Sequence, residues 1–239
     1  MTTSSRNVSR PFVLTIAVRL LRLQAVAVSA FVGIIALLTV GVLVGSLLFA
    51  DRPDSAVQFA VQPTMWFAFA MGIVTAGSYL RPFVANGVSR SVFWRAAWLS
   101  TMTTAVLYGA LTAVALAVEH WAFAALSWPH DVSDTVSAWW MLPIRVLLFT
   151  ATGGVSGLVV AIAYHRTGGW RGTFLLPLTL SPLIALIAIA AVADQRGWTG
   201  AASLTAQLLV AAVALVVGTV ALPRVMRLSL IHISEPTRR

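Results

Sequence analysis

Six long apolar runs separated by short polar segments organise this chain. They cover about Gln24–Phe49, Thr64–Leu80, Ala96–Val118, Trp139–Tyr164, Gly172–Ala193 and Ala201–Leu222. At about 1.5 Å of rise per residue, helices of these lengths match a hydrocarbon core about 30 Å thick. The runs are too long for barrel strands and do not alternate with period two, so only helices satisfy their backbone groups inside lipid. The pattern predicts an all-α membrane protein with six transmembrane helices. Ahead of the first run, Val13, Leu14, Ala17, Leu20 and Leu21 recur at helical spacing beside Arg19 and Arg22. Pro11–Leu23 is therefore expected to form an amphipathic helix at the membrane interface that leads into the first span. Residues 1–10 are expected to be disordered, with one transmembrane domain over 11–227. Pro177 and Pro182 predict a kink in the fifth span.

Charge orients this pattern. Asp51, Asp54, Glu119, Asp131, Asp134 and Asp194 all fall in the first, third and fifth gaps, with Glu119–Ala138 read as one outside segment. Most arginines, among them Arg81, Arg90, Arg95, Arg166 and Arg171, precede the first run, occupy the second and fourth gaps, or follow the last. Basic loops stay in the cytoplasm, so both termini are expected inside a multi-pass plasma-membrane protein. Tryptophan fits the same boundaries. Trp66, Trp121, Trp128, Trp139, Trp140 and Trp198 are placed near the outer edge, and Trp94, Trp98 and Trp170 near the inner one.

Composition narrows function further. The 239 residues are 59% hydrophobic and 10% charged, too few charges to cover a soluble surface. The net charge of +9 comes entirely from arginine, dispersed along the chain rather than gathered on one face, which argues against a nucleic-acid partner. No cysteine is present, which excludes disulfides and thiolate chemistry. The first run is too long for a cleavable signal, so it is expected to remain as an anchor. The last residues stand apart: Leu228–Arg238, LSLIHISEPTR, resembles a translated sequencing adapter. Residues 228–239 are read as an adapter-derived tail, which removes His232 and Glu235 from consideration and leaves every acidic residue on the outer side.

Candidate chemistry is sparse. Gly154-Val155-Ser156-Gly157 in the fourth run resembles the G-x-S-G element of rhomboid proteases, but that chemistry needs a histidine from another span. His120 and His130 fall outside and His165 at the inner edge, so an intramembrane protease is a minor alternative and no catalytic residue is assigned. No His or carboxylate pair has metal-ligand spacing, and there is no P-loop, so neither a metal, another cofactor nor an intrinsic ATPase is expected. Arg145 is the one charge within a span, either snorkelling outward or serving a substrate or gating role with Glu119 or Asp194 as partner. Gly41-x-x-x-Gly45 and Gly153-x-x-x-Gly157 mark expected helix contacts. Ser100, Thr101, Thr103 and Thr104 form the best polar stripe, although such hydroxyls often bond their own helix, and no span carries an obvious polar pathway.

The inside loop between the second and third runs, Leu80–Arg95, has more architecture than orientation requires. Pro82 suits a first helical position, Asn86-Gly87 a left-handed stop, and Ser89 or Ser91 a cap for the next helix. Pro82, Phe83, Gly87, Val88, Ser89, Arg90 and Phe93 fit the pattern P-[FL]-x-x-x-G-[VI]-[ST]-R-x-x-[FY]. Here the chain resembles the permease subunits of ABC-2-type ABC transporters, particularly small actinobacterial ones, over roughly Arg10–Arg227. The resemblance implies a six-span permease of an ATP-driven exporter, moving substrate across the plasma membrane. Its partners would be a separate ATPase subunit, a second permease chain, identical or different, and membrane lipid. It also implies that the loop docks on the ATPase, with Pro82, Phe83, Asn86, Gly87, Ser89, Arg90 and Phe93 at the contact. The alternative is a membrane scaffold or sensor subunit that transports nothing.

Overall fold

A computed structural model describes residues 9–49, 55–125, 140–197 and 200–228. Asp51, Asp54, His130, Asp131, Asp134, Trp128, Trp139, Trp198, residues 1–8 and the tail from 229 onward lie outside the described residues. Every regular element among the described residues is helical, and six helices are long and apolar enough to cross a membrane. They are α1 (Ser9–Phe49), α2 (Val57–Ala85), α3 (Arg90–Ala125), α4 (Met141–His165), α5 (Thr167–Ala193) and α6 (Gly200–Leu228).

Helix α4 is the axis of the bundle. Toward the α2–α3 turn, Ala161 and Ile162 join Ile16, Leu20, Phe83 and Phe93 in one buried cluster. Toward the other end, Met141, Leu142 and Leu148 pack with Val57, Leu116, Leu204 and Ala211. A third cluster joins Phe149 to Met65 of α2 and to Leu183 and Leu186 of α5. Lipid tails are as apolar as leucine, so side-chain burial alone gives little drive for such association; close backbone approach gives more. Glycine allows that approach between α2 and α4. A methyl carbon on Gly157 would strike the Phe69 carbonyl oxygen, and one on Gly72 the Gly154 carbonyl oxygen. On Gly153 it would lie 2.7 Å from the Met65 oxygen. Gly41 and Gly45 are different: apart from their own helix, nothing among the described residues comes within 4 Å of the same position. The expected contact at this second pair is not made among the described residues, where α1 meets the bundle through another stripe that includes Ile16, Leu20 and Gln24.

Three features refine the sequence expectation. First, α1 is one helix of 41 residues, about 60 Å at 1.5 Å per residue, with no break between an interfacial segment and the first span. Ile16, Ala17 and Leu20 of its first turns are buried against protein. Second, α3 continues to Ala125, so Glu119 lies within a helix and not in a loop. Third, the backbone stays helical through Pro177 and Pro182. Pro182 cannot donate to the Leu178 carbonyl, and the Ser181 hydroxyl donates to it at 2.8 Å. The non-helical residue between α4 and α5 is Gly168, at φ 77° and ψ 173°, within the fourth polar gap of the sequence pattern.

Candidate functional site

Two features hold polar groups in defined geometry: the turn between α2 and α3, and a polar chamber within the bundle. In the turn, Asn86 leaves the helix at φ −89° and ψ 21°, and Gly87 takes φ 84°. The Gly87 N–H donates to the Val84 carbonyl at 3.0 Å, and the Val88 N–H to the Phe83 carbonyl at 3.0 Å. These paired bonds are those of a Schellman stop, and its usual apolar contact is present because Val88 and Phe83 share one buried cluster. Asn86 Nδ2 adds a 2.8 Å bond to the Pro82 carbonyl. Ser89 Oγ then accepts from the Val92 N–H at 3.4 Å and lies 3.2 Å from Ser91 Oγ, at the start of α3.

This geometry divides the residues expected to dock a partner. Phe83 is 9% exposed and Phe93 1%, with ring centroids 5.6 Å apart. Both are removed from the expected contact surface, since their rings anchor the turn to the bundle. Pro82, Asn86, Gly87, Ser89 and Arg90 remain exposed, and Arg81 is exposed beside them. Trp94, expected near the inner edge, is buried in the same cluster.

The polar chamber was not legible as a pathway in the sequence. A cavity of about 20 Å³ lies among Gln24, Met71, Thr75, Thr101, Thr104 and Thr150, contributed by α1, α2, α3 and α4. Gln24 Nε2 donates to Thr75 Oγ1 at 2.6 Å, and Thr75 Oγ1 donates to the Met71 carbonyl at 2.6 Å. Thr75 also opens a π-helical turn, Thr75–Tyr79, inside α2. Such turns insert one residue and loosen the local ladder, often beside functional sites. The Thr150 hydroxyl lines this cavity, is 1% exposed and has no hydrogen-bond partner. The expected stripe in α3 bonds its own helix: Ser100 and Thr101 to Ala97, Thr103 to Leu99, and Thr104 to Ser100, at 2.9–3.0 Å. Gln24 and Thr150 stand in predominantly apolar runs, and only their convergence marks them.

A wider groove of about 370 Å³ lies between α1, α2 and α3, lined by Phe31, Ile35, Val57, Tyr108, Leu111 and Glu119 among others. Phe31 stacks on Phe67 at 4.0 Å between centroids, and Tyr108 stands edge-on to both at 6.0 and 6.4 Å. Phe67 lines the chamber and Phe31 the groove, so this aromatic trio lies between them. Glu119 is 5% exposed; its carboxylate accepts from the Ala56 N–H at 2.8 Å and the Ser55 hydroxyl at 3.1 Å. The Ala56 N–H, at the start of α2, thereby gains an acceptor that the helix itself does not supply.

The remaining sequence candidates are spread out. Arg145 is half-buried in the first turns of α4. Ser156 is buried in the glycine-rich stretch that meets α2, while His165 lies nine residues on along the same helix, about 13 Å away along the axis. No group of three His, Cys, Asp or Glu residues able to hold a metal occurs among the described residues. No protein-family profile, curated protein or solved structure matches the chain.

Proposed function

We propose that this chain is the permease subunit of an ATP-driven exporter of the ABC-2 kind. A separate ATPase subunit would supply the energy, and a second permease chain, identical or different, would complete the membrane unit. The observation that carries this reading is the α2–α3 turn. Its Schellman stop and two buried phenylalanines make it stiff, and its exposed residues include Arg81, Asn86, Ser89 and Arg90. Force applied to such a turn passes into α2 and α3 as a rigid displacement, whereas a loose loop would absorb it. The pattern from Pro82 to Phe93 that resembles ABC-2 permeases lies on this same turn.

In this reading Arg81, Pro82, Asn86, Gly87, Ser89 and Arg90 meet the ATPase, while Phe83 and Phe93 transmit the motion inward. The termini and this turn face the cytoplasm of a plasma-membrane protein, and the first turns of α1 lie at the inner interface. The test is co-purification of a P-loop ATPase from native membranes. Arg81→Glu with Arg90→Glu reverses exposed charge without touching the buried anchor, and is expected to reduce the recovered ATPase at least tenfold while insertion is unchanged. Recovery equal to that of the unaltered chain, or no P-loop ATPase recovered with that chain, would refute the reading.

A further inference from the structure

We infer that the groove between α1, α2 and α3 is a binding site for a cationic amphiphile with one slender hydrocarbon chain. The inference does not depend on the ATPase reading. At about 370 Å³ the groove falls within the usual size of small-molecule sites. Its walls are aliphatic, alanine and aromatic side chains with a few hydroxyls, and Glu119 is the one acidic group among them. The lining hydroxyls of Thr64 and Thr112 are already committed to the carbonyls of Ala60 and Tyr108 at 2.6 and 2.8 Å. Hydrocarbon is thus favoured along the groove, and positive charge at one end.

Two observations distinguish this groove from an ordinary lipid-facing furrow. The Glu119 carboxylate is held in place by Ser55 and Ala56, so a cation meets a pre-oriented acceptor with lone pairs to spare. Tyr108, 4% exposed, lines the same groove, and its hydroxyl has no hydrogen-bond partner among the described residues. Glu119 and Tyr108 are eleven residues apart on α3, about 16 Å along its axis, a span suited to one extended alkyl chain. The head would sit at Glu119, and the chain would end at the Phe31–Phe67–Tyr108 trio that faces the polar chamber.

The test uses the full chain in nanodiscs of zwitterionic lipid and a dodecyltrimethylammonium probe with a photoreactive diazirine at its tail. Labelling is expected at Phe31, Tyr108 and Leu111, and unlabelled dodecyltrimethylammonium should displace it at least tenfold more effectively than dodecyl sulfate or dodecanol. Glu119→Gln is expected to make the three competitors equal. Ala36→Trp, which fills the groove from its exposed side, should abolish labelling there without affecting Glu119. If Glu119→Gln does not fold, the ranking of competitors on the unaltered chain and the Ala36→Trp result still decide the matter. Equal competition by all three amphiphiles would show bilayer hydrocarbon merely covering the groove and would overturn the inference, as would labelling spread equally over the exposed Trp170–Leu178 face of α5.

Discussion

At the residue scale, glycines of identical spacing serve different ends. Gly153 and Gly157 admit the backbone of α2, whereas Gly41 and Gly45 stand clear of the other described helices. Gly157→Leu should therefore destabilise the bundle by about 3 kcal/mol, the upper part of the usual overpacking range, while Gly41→Leu should change little. Thermal unfolding midpoints in one detergent would check the pair; equal effects would remove the α2–α4 contact from the account. Glu119 allows a similar contrast. Glu119→Ala orphans the Ser55 hydroxyl and the Ala56 N–H, at a cost of about 1–3 kcal/mol, and Glu119→Gln should retain part of that stability because one acceptor oxygen survives. A glutamine variant no more stable than alanine would contradict this reading of the bonds.

Elements are shaped by local breaks more than by overall hydropathy. The α2–α3 turn was legible because Pro82, Asn86-Gly87 and Ser89 each have a specific backbone preference and occur in the right order. The α4–α5 break falls at Gly168, inside the fourth polar gap between Tyr164 and Gly172 that the apolar runs had already marked. Proline strain can be absorbed within a helix, as the Ser181 bond to Leu178 shows, but φ 77° with ψ 173° is accessible essentially to glycine alone. Gly168→Ala should accordingly cost on the order of 1–3 kcal/mol, and Gly169→Ala, with open space around it, should stay within about 0.5 kcal/mol. Chemical or thermal unfolding distinguishes them, and equal losses would mean that the break tolerates a side chain.

For the whole molecule, orientation is the property that the charge pattern predicts most directly. The chain has no cysteine, so each introduced thiol is unique. A cysteine at Asp54 should react with an impermeant maleimide in sealed cells, and one at Ser89 should react only after lysis; the reverse would invert the topology. The same end-to-end view relates the two candidate sites. The stiff turn lies at one end of α2, the π turn and polar chamber come next along it, and the aromatic trio with the groove follows toward Glu119. Motion applied at the turn would reach the chamber through the one loosened segment of that helix.

The sequence by itself determined the six helices, the segregation of charge and the turn, because each rests on local chemistry: apolar length, the sign of the loops, and the backbone preferences of proline, asparagine, glycine and serine. Tertiary structure alone decided which glycines touch another helix, that Phe83 and Phe93 point inward, and that Glu119 caps α2. It also brought Gln24, Thr75, Thr101, Thr104 and Thr150 to one chamber. These residues come from four helices, and a lone polar residue in an apolar run carries no mark of its partner. Only the rotation and approach of packed helices makes them neighbours, and neither is encoded by hydropathy.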